Sequence, residues 1–300
     1  MESTSLNVLI VGASGFIGQH LLRRFAIDGA RVEAWSRSSI EAPPGAEDRF
    51  MYRPVDLLSN NPLPMPPPGG WDVVFQLAGE SRPSRFIGHE HLRNTVRMAA
   101  RVAEHVSTVS AGCRYFLNSS AYVYGPSELP CDESASTEPT GPYGLAKLLA
   151  EDVTRLHQEK FHLTIVRPFN LIGADLPQGL FATGLLARLR EGQSSVEVPA
   201  PNVRRDLLDI RDAIDAYQAL LASKYESGTV FNFCSGSGTL SSEFATALLA
   251  ALGKSCEIRF NKEAGFSILG SSDRLKAITN WMPRFQASDS ARSLVEAQGG

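Results

Sequence analysis

Tyr143 and Lys147 stand four residues apart in the stretch GPYGLAK, directly after a Gly-Pro break. On a helix that spacing stacks both side chains on one face, about 6 Å apart along the axis. A phenol beside an ammonium is either a surface coincidence or an acid–base pair in which the cation eases ionisation of the phenol. The run YFLNSSAYVYG adds Ser119 and Ser120 at the C-terminal end of a strand candidate. In doubly wound sheets that edge lines the binding crevice. A strand-end serine, Tyr143 and Lys147 together make a proton-transfer group, in which Ser120 would hold the substrate oxygen.

What such a group would work on is suggested by the glycines. VLIVGASGFIG places Gly12, Gly15 and Gly18 directly after an N-terminal apolar strand and at the start of a helix. Glycine lets the backbone turn tightly and approach a pyrophosphate, whose charge faces the first amides of the helix. A plain tight turn needs one glycine; three in this setting predict dinucleotide binding. The end of the second strand reads EAWSRSS, with Ser36 and Arg37 where NAD-binding versions usually offer an acid to the ribose 2′-hydroxyl. A guanidinium pairs with a 2′-phosphate that a carboxylate would repel, so the expected cofactor is NADP(H). Asp56, after the third strand region, is where an adenine contact is expected. A tyrosine starts near a pKa of ~10. Lys147 and the positive ring of an oxidised nicotinamide would bring Tyr143 toward the working pH, where acid–base catalysis is most effective.

These residues need a scaffold, and the chain has one. Its 300 residues are 43% apolar and 20% charged, with a net charge of −3. That is ordinary globular usage, with no sign of a nucleic-acid or anionic-membrane partner. Cys113, Cys131, Cys234 and Cys256 lie far apart and without metal-ligand spacing, and His89 and His91 lack a third ligand. No metal is expected. No apolar run is long enough to span a membrane, and the expected location is cytoplasmic. Strand candidates at 6–11, 31–35, 72–77, 115–118, 163–167 and 229–233 alternate with helical patterns such as Leu92, Val96, Ala99, Ala103 and Val106. The alternation predicts an α/β fold, a doubly wound parallel sheet. After Pro168 it fades into helices at about 180–191, 211–222 and 242–252 separated by loops. The expected division is a cofactor domain of residues 1–168 with 205–235 and an interleaved substrate domain of 169–204 with 236–300. NNPLPMPPPGGW reads as a stiff surface loop, with a polyproline ligand as the alternative.

GASGFIG, VVFQLAG, NSSAYVYG, PYGLAK, VRPFNLIG, RRDLLDIRDAIDAY and VFNFCSG, in this order and spacing, resemble the extended short-chain dehydrogenase/reductase family. That family acts largely on nucleotide-activated sugars. The resemblance implies that Ser120, Tyr143 and Lys147 are the catalytic set, that Lys147 also binds the nicotinamide ribose, and that Asn94 lies near the active site. Ser120 is preferred to Ser119 because it lies three residues before Val123. The candidate cofactor contacts are Gly12, Ser14, Gly15, Phe16, Ile17 and Gly18 in the loop and Ser36 and Arg37 after the second strand. Asp56 and Leu57, then Leu77, Ala78 and Gly79, then Tyr143, Lys147 and Pro168 complete the set.

Single residues separate the subclasses that the resemblance allows. Ala121 and Tyr122 occupy the positions at which the sugar 4,6-dehydratases carry an Asp-Glu pair. Tyr122 also takes the place of the cysteine used by the epimerase-reductases that make GDP-fucose, and NLIGADLPQGLF contains no histidine. The 4-epimerases usually have an acid where Ser36 and Arg37 stand. Simple ketone reduction remains, and the second half looks most like the reductases of GDP-4-keto-6-deoxymannose. By that likeness Asn170 and Arg205 face the nucleotide diphosphate. Lys262 stands in for an arginine usual in that segment, which weakens the assignment of the base, and Arg274 is a further candidate. Glu80, Ser81 and Tyr122 either shape the sugar pocket or pack the loop. The alternatives are a 4-ketoreductase or 4-epimerase of a dTDP-, CDP- or UDP-sugar, and a non-catalytic NADP(H)-binding regulator. A homodimer through the helices at about 90–108 and 143–158 is implied by the resemblance.

Overall fold

The computed structural model describes residues 5–80, 88–127, 129–192, 194–261 and 267–299. Contacts divide the chain into two compact units. The first comprises Met1–Val123, Pro139–Arg167 and Lys224–Phe231; the second comprises Tyr124–Glu138, Pro168–Ser223 and Asn232–Gly300.

In the first unit the chain runs β1 (Asn7–Val11), α1 (Phe16–Ile27), β2 (Arg31–Ser36), β3 (Phe50–Pro54), β4 (Val73–Gln76), α2 (His89–Val109) and β5 (Arg114–Asn118). A 3₁₀ turn at Ala121–Val123, α3 (Pro142–Arg155) and β6 (His162–Pro168) follow. With β10 (Thr229–Phe233) these strands form a seven-stranded sheet of order β10-β6-β5-β4-β1-β2-β3. The pairs from β3 through β6 are parallel. Val8 to Val11 and Val73 to Phe75 are almost wholly buried, the near-continuous apolar runs expected of strands covered on both faces. The strand order reverses at β1, which has β2 on one side and β4 on the other. A crevice outside the carboxyl ends of β1 and β4 is the binding site that such a reversal provides. α2 and α3 pack side by side.

The second unit holds β7 (Asn170–Ile172), α4 (Phe181–Arg190), β8 (Ser195–Pro199), β9 (Arg204–Asp209) and α5 (Ile210–Ala222). It continues through β11 (Gly238–Leu240), α6 (Ser241–Leu252), β12 (Glu257–Asn261), α7 (Asp273–Thr279) and α8 (Ala287–Ala297). The sheet β11-β9-β7 and the pair β12-β8 are its strands. Residues 205–223 and 232–235, all expected with the cofactor domain, lie in this unit; β9 pairs with β7 and β11 and not with the large sheet. Residues 124–138 also belong to this unit: Asn232 Nδ2 donates to the Cys131 carbonyl at 3.0 Å and Glu133 accepts from the Asn232 amide at 2.8 Å. Among the described residues no helix is long and apolar enough to cross a membrane, and no group of His, Cys, Asp or Glu could hold a metal ion.

Candidate active site

The glycine loop is built for close approach. Gly12 has φ +85°, and a Cβ there would lie 2.8 Å from the Ala78 amide nitrogen, so β1 and β4 meet backbone to backbone at their ends. Gly18 sits equally tightly: its Cβ would stand 2.5 Å from the Gly12 carbonyl oxygen and 2.7 Å from the Ala13 Cα. Gly15 caps α1 without a side-chain hydrogen bond, and no acidic residue occupies the first turn. The opening amides of α1 are therefore available to an anion, helped by the positive end of the helix. Ser14 and Gly15 are exposed, and Phe16 and Ile17 half-buried. These residues fit the pyrophosphate of a dinucleotide.

At the end of β2 the Ser36 hydroxyl donates to the Ser38 carbonyl and turns the chain, while Arg37 is exposed. The acid on this strand, Glu33, is buried and accepts from the indoles of Trp35 at 2.9 Å and Trp71 at 3.1 Å. No carboxylate thus occupies the tip of β2. Asp56 is exposed and accepts from the Leu58 amide at 2.9 Å. Arg101, on α2, clasps the loop it opens by donating to the carbonyls of Leu57 at 2.9 Å and Ser59 at 2.5 Å.

Three successive residues at the end of β5 meet three successive turns of α3. Ser120 is hydrogen-bonded to the Tyr143 side chain. Lys147 Nζ donates to the Asn118 carbonyl at 3.1 Å, and the Ser119 hydroxyl donates to Glu151 Oε1 at 2.5 Å. Pro142 at the first helical position sets the entry into α3, where its missing N–H costs nothing. Gly144 then lets the helix rest on the 3₁₀ turn, since a Cβ there would lie 2.3 Å from the Tyr122 carbonyl oxygen. Tyr122 meets the Tyr143 ring edge to face, with centroids 5.4 Å apart. The structure therefore brings Ser120, not Ser119, to the phenol.

Tyr143 and Lys147 are both buried. Burial pushes the Tyr143 phenol up to about 12, and its hydrogen bond with Ser120 opposes this. Tyr122 and Glu80 are smaller upward contributions to that value. Desolvation is the largest of these effects. Burial likewise draws the Lys147 ammonium down to about 8, against the attraction of Glu151. A Cβ at Gly79 would lie 3.5 Å from Lys147 Nζ, which puts the segment after β4 beside this pair. Asn94 is half-buried on α2.

Sequence reasoning missed Glu151 and Arg167. Glu151 Oε1 accepts from Arg167 Nε at 2.9 Å and Oε2 from Arg167 Nη2 at 2.7 Å, with both residues buried. The signal available was the continuation of the four-residue ladder from Tyr143 through Lys147.

In the second unit Asn170 and Arg205 occupy adjacent, paired strands. Asn170 Nδ2 donates to the Asp206 carbonyl at 3.1 Å, and the Arg205 guanidinium lies 4.5 Å from the centroid of the Phe181 ring. The buried Asp206 carboxylate accepts from the Ser235 amide at 2.6 Å, the Ser235 hydroxyl at 2.8 Å and the Gly236 amide at 3.0 Å, fixing β9 beside Arg205. Pro168 is buried. Arg274 lies 3.6 Å from Glu133, a contact that serves the unit's own packing. Ser81 and Lys262 lie outside the described residues.

Residues 8–234 match the family described as NAD dependent epimerase/dehydratase. GDP-6-deoxy-D-mannose reductase of Pseudomonas aeruginosa is 28% identical over an alignment covering 96% of this chain and 95% of that one. UDP-glucose 4-epimerase of Mycolicibacterium smegmatis is 24% identical, covering 97% and 98%. Among solved structures, RMD from Pseudomonas aeruginosa complexed with NADPH superposes with a TM-score of 0.77 at 25% identity, covering 98% of each chain.

Proposed function

Because the chain belongs to the NAD dependent epimerase/dehydratase family, we propose that it is an NADPH-dependent reductase of a nucleotide-linked 4-keto-6-deoxyhexose at carbon 4. GDP-4-keto-6-deoxymannose is the substrate favoured by the likeness to GDP-6-deoxy-D-mannose reductase. The observation that carries the reading is the buried Tyr143 phenol, hydrogen-bonded to Ser120 with Lys147 one turn further along α3. Reduction of a ketone needs a proton donor at the nascent alkoxide, whereas oxidation of an alcohol needs a base. A phenol that carries its proton at neutral pH, as phenols ordinarily do, can perform the first task.

When bound, NADPH supplies the hydride. Tyr143 gives its proton to the oxygen on carbon 4, Ser120 hydrogen-bonds the same oxygen, and Lys147 holds the nicotinamide ribose while easing ionisation of the phenol. Arg205 and Asn170 take the diphosphate, the guanidinium by a bidentate contact. Lys262 and Ser81 complete the expected substrate set.

Arg37 is assigned the 2′-phosphate. A hydrogen bond to a charged group contributes roughly 1.5–3 kcal/mol. Arg37→Ala should therefore lower the ratio of kcat/KM with NADPH to that with NADH by about ten- to a hundredfold. Equal efficiencies with both cofactors in the parent protein would remove this assignment.

The reading is tested by following NADPH consumption with GDP-4-keto-6-deoxymannose beside dTDP-4-keto-6-deoxyglucose. Consumption with the GDP sugar alone supports the full proposal, and preference for the dTDP sugar keeps the chemistry but moves the base. The likeness to UDP-glucose 4-epimerase supports a second reading, a 4-epimerase that interconverts its sugar without net consumption of cofactor. The missing acid at the tip of β2 weighs against it. The family likeness supports the expected homodimer through α2 and α3, which sedimentation equilibrium at monomer mass would refute.

A further inference from the structure

Ser119, Lys147, Glu151 and Arg167 are all buried, yet none of the four has the phenol's part in the proton transfer. Glu151 is the hub: its two oxygens accept two bonds from Arg167 and one from the Ser119 hydroxyl. A buried ion pair is a poor source of stability, because desolvation offsets most of its attraction and an apolar pair of similar volume would serve as well. Its geometry points to a different purpose. Glu151 lies one helical turn beyond Lys147, itself one turn beyond Tyr143, and it holds the residue next to Ser120.

We propose that Glu151, clamped by Arg167, is a positioning residue that keeps Lys147 an ammonium and fixes residues 118–120 against α3 so that Ser120 meets Tyr143. This rests on the reading of Tyr143 and Lys147 as the acid–base group. The charged and titratable surroundings of Lys147 agree with it. α3 contributes Tyr143 and Glu151, β6 contributes Arg167, and the segment after β4 contributes Glu80, whose charge reaches Tyr143. β5 offers the Asn118 carbonyl, and α2 turns Arg97 and Arg101 to the loop 57–61. Burial disfavours the Lys147 ammonium, and Glu151 is the carboxylate that opposes it. Arg167 orients Glu151 through paired charge-assisted bonds.

The two partners should act on Lys147 with different signs. Glu151→Gln removes the attraction and leaves the Arg167 charge uncompensated, so both effects disfavour the ammonium. Arg167→Gln leaves a carboxylate that favours it. The test is NMR titration of Lys147 in the full chain carrying isotope-labelled lysine, assigned with Lys147→Met, a readout that requires neither sugar nor turnover. The expected result is a midpoint lowered by about one unit in Glu151→Gln and not lowered in Arg167→Gln. An unmoved midpoint in Glu151→Gln, or an equal fall in both variants, overturns the proposal. If Glu151→Gln does not fold, a lowered midpoint in Arg167→Gln overturns it alone. Failure of the acid–base reading is seen separately, as unchanged turnover in Tyr143→Phe.

Discussion

Tyr143→Phe is expected to lower turnover roughly a thousandfold, within the range that positioned acid–base groups contribute, while NADPH affinity changes little. The substitution removes one oxygen from a ring packed edge to face on Tyr122, so the packing of α3 against the 3₁₀ turn survives. What is lost is the proton donor and its hydrogen bond with Ser120. Steady-state turnover and a fluorescence titration of NADPH check the two halves of the prediction. Turnover preserved in the variant would remove Tyr143 from the chemistry, and affinity lost with turnover would instead indicate a collapsed site.

Gly18→Ala is expected to weaken NADPH binding about a hundredfold without unfolding the protein. The added methyl would press on the Gly12 carbonyl and the Ala13 backbone, neither of which can swing away as a side chain would. Relief requires α1 to lift from the loop, and strain of this kind costs about 1–3 kcal/mol. The upper end of that range corresponds to the stated loss of affinity. Gly184→Ala on α4 is the control, since a Cβ there meets nothing within 4 Å. That substitution should leave affinity unchanged, and calorimetric titration of both variants decides the matter. Equal affinity in the two would show that the tight packing of Gly18 is irrelevant to the cofactor.

The sequence was most legible where one pattern dictated one structure. The run Val8–Val11 could only be a covered strand, and α3 carried its chemistry at a spacing with a single geometric meaning. The strands of the second unit were not legible. β7 and β11 are three residues long, and β12 reads EIRFN with its side chains mostly exposed, so neither apolar runs nor clean alternation marked them. β3, an edge strand, was legible only as an unbounded strand region before Asp56, for the same reason. In the site, Ser120, Tyr143 and Lys147 were named from type and spacing, but Glu151 looked like any carboxylate on an amphipathic helix. Its burial depends on Arg167, which reaches it from β6, a tertiary fact that no local pattern contains.

The most direct test uses NADPH deuterated at its transferable position, incubated with GDP-4-keto-6-deoxymannose and the protein. Proton and deuterium NMR of the product then locate the label. A carbon-bound deuterium at carbon 4 of the hexose, gained in step with NADPH consumed, is the predicted result. Product formed without deuterium at that carbon, or sugar interconverted with NADPH left intact, would contradict the account.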